Sequence, residues 1–403
     1  MKKIANLKYI FLLLIIDFIF LSYGISTLSI SKYEASIYYG DFSLLKILAH
    51  FGTFLFGQND FGLRFTSLFF HFLSCILLYI LALKYTKTKT DALFSLLLFI
   101  LLPGTIASAL LVNEASFVLF LSLVILCAYE YGKKYLFYVC LILSLFVDSS
   151  FNILFLTFFF FALYKKNSFL TLVSIVLFAF NLAFYGFETG GKPSGHFLDT
   201  LGIFAACFSP LVFIYFFYVI YRLAFKKDKN LLWFLMSVTF IFCLVLSLRQ
   251  RLFLEDFLPF CVICTPLLIK TLMASYRVRL PKFRLKYKIF IECAVIFLTI
   301  CYLAIVANKA LYAFISNPQR HFAYNYHLAK ELSIELKKQG VNAVRVAPTL
   351  QERLKFYGID DSVNFYLRRI NDKTLLQNDK KTIKISLGKH EILYQVLSYE
   401  KKL

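Results

Sequence analysis

The chain alternates long apolar runs with short polar breaks, and the runs have the length of membrane spans. A helix rises 1.5 Å per residue, so about 20 apolar residues cross the hydrocarbon core of a bilayer. On that criterion residues 8–28, 65–83, 92–110, 115–131, 169–185, 201–221, 231–248, 257–275 and 290–311 are each a predicted span. Residues 135–164 read as two shorter spans hairpinned at Asp148-Ser149-Ser150, which brings the count to about eleven. One long broken helix is the alternative there, and it would change the sidedness of everything downstream. The first run is too long for a signal peptide and lacks a small-residue cleavage site, so it reads as a retained helix with its amino terminus inside. Asp17 within it is an ionisable group in hydrocarbon and is expected to face other helices.

Two segments depart from this pattern. The loop at residues 29–64 contains an amphipathic stretch, 42–56, too short and too polar to span, which suits a helix lying along the membrane surface. After residue 311 the pattern changes to that of a small α/β unit. It has a helical stretch at 321–338, a strand at 341–347, a short helix at 350–357, and strands near 363–369, 382–387 and 392–397. The expected organisation is thus a membrane domain, 1–311, and a small extracytoplasmic domain, 312–403. The fold class is an all-α polytopic membrane protein with a C-terminal α/β unit.

Composition strengthens the membrane reading. The chain is 60% hydrophobic and 19% aromatic with a mean hydropathy of +0.72, more apolar surface than a soluble chain of 403 residues could bury. The net charge of +21 sits in short clusters on alternate loops, as expected of cytoplasmic loops. That leaves no basic, aromatic-interleaved surface for nucleic acid. All nine cysteines lie inside apolar runs, so no disulfide framework is implied, and Cys261-x-x-Cys264 reads as packing within a helix. The six histidines show no metal-ligand spacing, and no Gly-rich phosphate loop or repeat is present.

The polar residues become informative once placed on this topology. Glu34, Asp41, Arg64, Glu114, Arg249, Arg251, Glu255 and Asp256 all fall on the outside face close to span ends. Carboxylates there can take a proton from, or orient, an acceptor hydroxyl. Arginines there can hold a phosphate bidentately. Both together suit a phosphorylated lipid whose head group stands in water; the plain reading of any one of them is a solvated interfacial charge. Asp148 could join such a site or cap a helical turn, and the cap is the favoured role.

Four short segments carry a family resemblance. Ser31-Lys-Tyr-Glu34-Ala-Ser-Ile-Tyr, with Phe56-Gly-Gln-Asn-Asp-Phe-Gly-Leu-Arg64, resembles the first outside loop of the GT-C membrane glycosyltransferases. The branch is that of the protein mannosyltransferases and the lipid A aminoarabinose transferase. Leu102-Pro103-Gly104 through Val112-Asn113-Glu114-Ala115 is similar to its third span and second acidic position. Arg251-Leu-Phe-Leu-Glu-Asp-Phe-Leu-Pro259 resembles a basic-aromatic run leading into a late span. Arg353-Leu-Lys-Phe-Tyr357, with Asn364-Phe-Tyr-Leu-Arg368, is similar to a late outside segment. Where the branch carries an acidic pair this chain has Tyr33-Glu34, and its first loop has Asp41-Phe42-Ser43 with Lys46 nearby in place of Lys-Pro-Pro.

The resemblance implies transfer of a sugar from a polyprenyl-phosphate carrier to a lipid, glycan or protein acceptor on the outer face of a bacterial inner membrane. Glu34 would be the general base or orient the nucleophile, with Glu114 in support and Asp41 in reserve. Arg64, Arg249, Arg251 and Lys46 would bind the donor phosphate. If the acceptor is itself a phosphate, no base is needed and Glu34 only positions it. A divalent metal bridging phosphate and carboxylates is compatible with these residues, and the sequence leaves metal dependence open. The rivals are a lipid or polysaccharide transporter, which would concentrate ionisable groups at the bilayer midplane, and a polysaccharide polymerase or ligase.

Overall fold

The structure is a computed structural model, and it describes residues 2–186, 195–248, 254–370 and 382–398. Eighteen α-helices and three strands follow one another within them. The first four helices are α1 (Lys2–Thr27), α2 (Lys32–Tyr39), α3 (Leu44–Phe56) and α4 (Asp60–Tyr85). Then come α5 (Lys89–Leu101), α6 (Pro103–Leu110), α7 (Glu114–Glu130), α8 (Lys134–Leu143), α9 (Asn152–Lys165) and α10 (Ser168–Tyr185). Next are α11 (Phe197–Phe208), α12 (Pro210–Ala224), α13 (Leu231–Ser247), α14 (Leu254–Val262), α15 (Thr265–Val278) and α16 (Pro281–Val306). The tail holds α17 (Ala329–Lys338), α18 (Pro348–Phe356), β1 (Phe365–Ile370), β2 (Thr382–Leu387) and β3 (His390–Ser398).

The largely helical class, with several long apolar helices and a small C-terminal sheet, is as expected. Among the described residues five helices are long and apolar enough to cross a membrane, or seven if each of two bent pairs counts as one span. The expected span 92–110 is broken between α5 and α6 by 61° at Leu102. Pro103 cannot donate a backbone hydrogen bond and disfavours helical geometry in the residue before it. The Thr105 hydroxyl then caps the loose carbonyls of Phe99 (2.5 Å) and Leu102 (2.7 Å), which hydrocarbon could not solvate. The expected span 201–221 turns by 107° between α11 and α12. Ser209 sits there in the left-handed region, φ +66°, immediately before Pro210. Apolar composition is blind to both bends. The 135–164 stretch is two short arms that turn at 147–148, with the Asp148 carboxylate accepting from Ser150 N at 2.8 Å as a cap. The last long helix starts at Pro281, so basic residues expected in a loop are helical, proline being well placed in a first turn.

The chain divides into two compact units. One comprises residues 1–18, 67–109 and 113–302. In it α9 packs along α10 and α13, α7 against α8 and α14, and α5 along α15. An Arg277–Asp91 ion pair of 2.6 Å ties that last pair together. The other unit comprises residues 19–66, 110–112 and 303–403, bringing the first loop together with the tail. Its sheet is antiparallel in the order β1-β3-β2. Leu332, Leu336, Leu354, Ile383, Ile385 and Tyr394 belong to one buried cluster under it. Two tail expectations need correction. Residues 321–328 are turns with one 3-10 segment, Tyr324–Tyr326, and the helix begins only at Ala329. Residues 341–347 make two isolated bridges, to Asp360 and Tyr366, in place of a full strand.

The amphipathic stretch 42–56 is the helix α3, capped by Ser43, whose side chain accepts from Lys46 N. Leu45, Ala49, Gly52 and Thr53 are buried, while Ile47, Phe51, Phe54 and Leu55 are bare on the other side. A bare apolar stripe of that kind suits the acyl-headgroup boundary of a bilayer. Its buried side meets the start of α4 through glycines. A Cβ on Gly52 would stand 2.2 Å from the Gly62 carbonyl oxygen, and one on Gly62 would stand 2.3 Å from that of Gly57. Those neighbours are backbone and cannot swing away. We expect Gly52→Val to destabilise the detergent-solubilised protein by about 1–3 kcal/mol, the usual cost of overpacking, read as a lower unfolding midpoint; an unchanged midpoint would show that α3 is free to move.

Candidate functional site

The first loop is built around a buried ion pair. Ser31 starts α2, its hydroxyl accepting from Glu34 N, while the Glu34 carboxylate accepts from Ser31 N at 2.9 Å. This reciprocal capping box aims Glu34 inward. There it meets Arg64 in the second turn of α4. Arg64 Nε donates to Glu34 Oε1 at 2.8 Å and Nη2 to Oε2 at 2.7 Å. Its remaining donors reach the carbonyls of Leu28 (2.8 Å) and Ser29 (3.0 Å), and Val112 N donates to Glu34 Oε1 at 3.1 Å. Both side chains are out of solvent, Arg64 at 0% and Glu34 at 1% exposure. Burial pushes the Glu34 carboxyl up, but the Arg64 charge, its hydrogen bonds and the two backbone N–H groups outweigh that and hold it below its ordinary value.

Around this pair runs a second set of contacts from the tail. Asp60, in the first turn of α4 where a helix favours negative charge, accepts from the Tyr357 hydroxyl at 2.5 Å and pairs with Lys330 Nζ at 2.7 Å. The same Tyr357 oxygen accepts from Ile30 N at 2.9 Å. Arg353, four residues earlier on α18, donates through Nε to the Ile30 carbonyl at 2.8 Å and through Nη2 to that of Asn325. Ser29 N donates to the Tyr326 carbonyl at 2.6 Å, and Lys330 Nζ to that of Ser26 at 2.9 Å. The backbone of residues 28–30, belonging to neither a helix nor a strand, thus finds partners in Arg64, Arg353, Tyr357 and Tyr326. Burial, and then the charge and hydrogen bond of the Asp60 carboxylate, raise the Tyr357 hydroxyl well above its ordinary range.

The structure therefore brings together Glu34 and Arg64, which the sequence singled out for separate roles in chemistry, and occupies both with each other. Glu34 has two donors on each oxygen, so a substrate proton would have to displace one of them. Asp41, by contrast, is exposed, and among the described residues no hydrogen bond engages its carboxylate. Lys46 lies beside it, its Nζ donating to the Gly40 carbonyl at 2.5 Å. His50 stacks on Tyr38 with ring centroids 4.1 Å apart. Glu114 opens α7 in the other unit and is half-buried. Arg249 and Arg251 lie outside the described residues. Asp60, Lys330, Arg353 and Tyr357 were given no role from sequence, although Arg353 and Tyr357, one helical turn apart, could have signalled a shared target.

A separate polar group lies in the spans of the other unit. Asp17 accepts from the Tyr302 hydroxyl at 2.8 Å and pairs with His71 Nε2 at 2.9 Å, and Cys75 Sγ lies 3.6 Å from the same nitrogen. Among the described residues this is the one trio whose ligand atoms could surround a metal ion. His71 Nδ1 is buried without a partner, however, whereas a metal-bound histidine is oriented through its second nitrogen. The arrangement fits a helix-to-helix polar bond better than a metal centre.

No family model matches the sequence, and no curated protein sequence matches it. Solved structures do match. The chain is similar over 97% of its length, and 98% of the other, to ArnT from Cupriavidus metallidurans in the apo state, at 10% identity and a TM-score of 0.58. It is similar over 96% of its length, and 98% of the other, to the same protein bound to undecaprenyl phosphate, at 10% identity and a TM-score of 0.55. The chain has an ArnT-like fold, the fold that the residue resemblance implied. ArnT is itself a lipid A aminoarabinose transferase, a GT-C glycosyltransferase.

The ion pair makes a testable claim on stability. Removing one partner strands a buried charge or a set of unmatched donors, so Arg64→Met is expected to cost about 3–5 kcal/mol, and Glu34→Leu with Arg64→Met distinctly less than the sum of the single changes. Additive losses in thermal unfolding would contradict the pairing. For pH, the folded-state pKa of Glu34 lies below its ordinary value of 4.5. Its contribution is fully present above pH 4.5 and is lost as the pH falls through the folded-state value; Glu34→Gln should remove that acid-side loss.

Proposed function

We propose that this chain is a membrane glycosyltransferase that moves a sugar from a polyprenyl-phosphate-linked donor to a lipid, glycan or protein acceptor at the extracytoplasmic face of a bacterial inner membrane. The observation that carries the reading is the fold likeness to ArnT along nearly the whole of both chains, one of the two ArnT structures holding undecaprenyl phosphate.

In this reaction the bond from the anomeric carbon to the donor phosphate breaks, an acceptor oxygen bonds to that carbon, and polyprenyl phosphate leaves as an anion. Cations near the leaving phosphate stabilise its developing charge. We assign that work to Lys46, Arg249 and Arg251. Arg64 is given a positioning role, because its guanidinium is already committed to Glu34 and two carbonyls. Glu34 likewise holds the loop instead of taking a proton, which supports the variant in which the acceptor is itself a phosphate and needs no base. If the acceptor is a hydroxyl, Asp41 and Glu114 are the carboxylates we would assign to it. A divalent metal between carboxylate and phosphate is compatible with this scheme but not required by it. The one observation favouring a transporter is the Asp17–His71–Tyr302 network, since ionisable groups within spans often mark ion paths.

Mass spectrometry of surface glycans tests the proposal on wild type, a deletion strain, and deletions complemented at matched expression with Lys46→Met or Asp41→Asn. We expect the deletion to lack one sugar and Lys46→Met to restore it poorly, by analogy with the roughly 10²–10³-fold cost of losing one charge-stabilising group. Full restoration by Asp41→Asn would point to a phosphate acceptor. An unchanged glycan profile in the deletion strain, with the protein present in wild type, would remove the transferase reading and favour transport.

A further inference from the structure

Two cavities in the larger unit meet end to end and differ sharply in chemistry. The first, about 450 Å³, is walled almost entirely by hydrocarbon from α5, α12, α15 and α16. The second, about 980 Å³, adds tyrosines, Ser275, Arg222 and Arg279 to apolar side chains such as Phe225 and Val278. Tyr215 and Phe290 line both.

The sequence of each helix explains the change along the groove. On α12, Leu211, Tyr215, Tyr218 and Arg222 follow at helical spacing on one face, running from apolar to aromatic to cationic. On α15 and just past its end, Leu268, Leu272, Ser275 and Arg279 repeat the progression. The third wall, α16, runs from Leu298 at the apolar end to Tyr287 at the polar end. All three walls grade in the same sense, which single exposed apolar residues would not do.

The two guanidiniums at the polar end are held by neutral groups. Arg222 Nη1 donates to the Ser275 hydroxyl at 2.6 Å and to Tyr218 at 3.3 Å, and Arg279 lies over the Tyr287 ring at 4.2 Å. Among the described residues neither has a carboxylate in ion-pair range. Arg277, by contrast, is neutralised by Asp91, and Glu292, the one charged residue lining the apolar cavity, is paired with Lys288. Lys226, Lys229 and Lys270 line an adjoining cavity with Arg222 and a single carboxylate, Asp228, so cations outnumber anions there four to one.

We propose that this groove is a binding site for an anionic glycerophospholipid, with its phosphate between Arg222 and Arg279 and an acyl chain along the apolar cavity. Charge complementarity selects an anionic head, the aromatic rim suits the level of the glycerol, and basic pockets between spans are known places for anionic head groups. The positive-inside expectation puts this end at the cytoplasmic leaflet. The site requires nothing of the first loop, so it stands or falls apart from the transferase reading.

The test is native mass spectrometry with lipid extraction on the full-length protein, purified in polymer-bounded bilayer discs and then exchanged into mild detergent. Wild type should retain about one phosphatidylglycerol-class lipid per chain. Arg222→Gln with Arg279→Gln should lower retention roughly tenfold or more, from about 1 kcal/mol per basic residue near an anionic surface. Leu272→Trp, which fills the apolar cavity without changing charge, should lower it as well, while the unfolding midpoint and elution profile report that both variants are folded. Retention unaffected by either change, retention of zwitterionic lipid in equal measure, or retention of polyprenyl phosphate alone would each overturn the proposal.

Discussion

The unit that joins the first loop to the tail depends on one constraint: a guanidinium and a carboxylate taken wholly out of water must satisfy each other. Arg64 and Glu34 do so bidentately, and the donors and lone pairs left over are used on backbone of the segment 28–31 and on Val112. A buried pair of this kind contributes little net stability, because desolvation offsets most of the attraction, but any arrangement that separates the charges is strongly penalised. Its effect is to specify one conformation. The irregular segment after α1 can take one course only, that which offers its carbonyls to Arg64 and Arg353.

Asp60 extends the same logic to the tail. Its carboxylate is shared between Tyr357 and Lys330, so residues nearly 300 positions apart in sequence hold one another in place. The tail therefore does more than decorate the end of the chain: Arg353 on α18 and Tyr357 at its C-cap both help complete the first loop. In the function we propose, the loop carries Asp41 and Lys46 on its exposed rim, and the rigid base beneath them would supply the preorganisation that charge stabilisation at a leaving phosphate needs.

Much of this was legible from residue order. Long apolar runs announced the helices, the amphipathic stretch 42–56 announced α3, and three of the four strands expected in the tail are present. Glu34 and Arg64 stood out because charged residues beside spans are few. What the sequence could not express was that they pair, since no periodicity relates positions 34 and 64, or 60 and 357. Their hydrogen bonds join two candidate site residues in one buried pair. The breaks at Leu102 and Ser209 were hidden for a different reason. Hydropathy sums over a window and registers how apolar a segment is, while the direction of the axis turns on a proline and one left-handed residue.

The turn at Ser209 also bears on bookkeeping of another sort. Sidedness in a multi-pass chain is a matter of parity: each true crossing exchanges inside for outside, and a segment that enters and returns on the same side does not. With α11 and α12 meeting at 107°, and α5 and α6 at 61°, a count of apolar runs can be right in number of helices and wrong in odd or even. The basic clusters are then the better compass, because each loop reports its own side independently of how many crossings precede it.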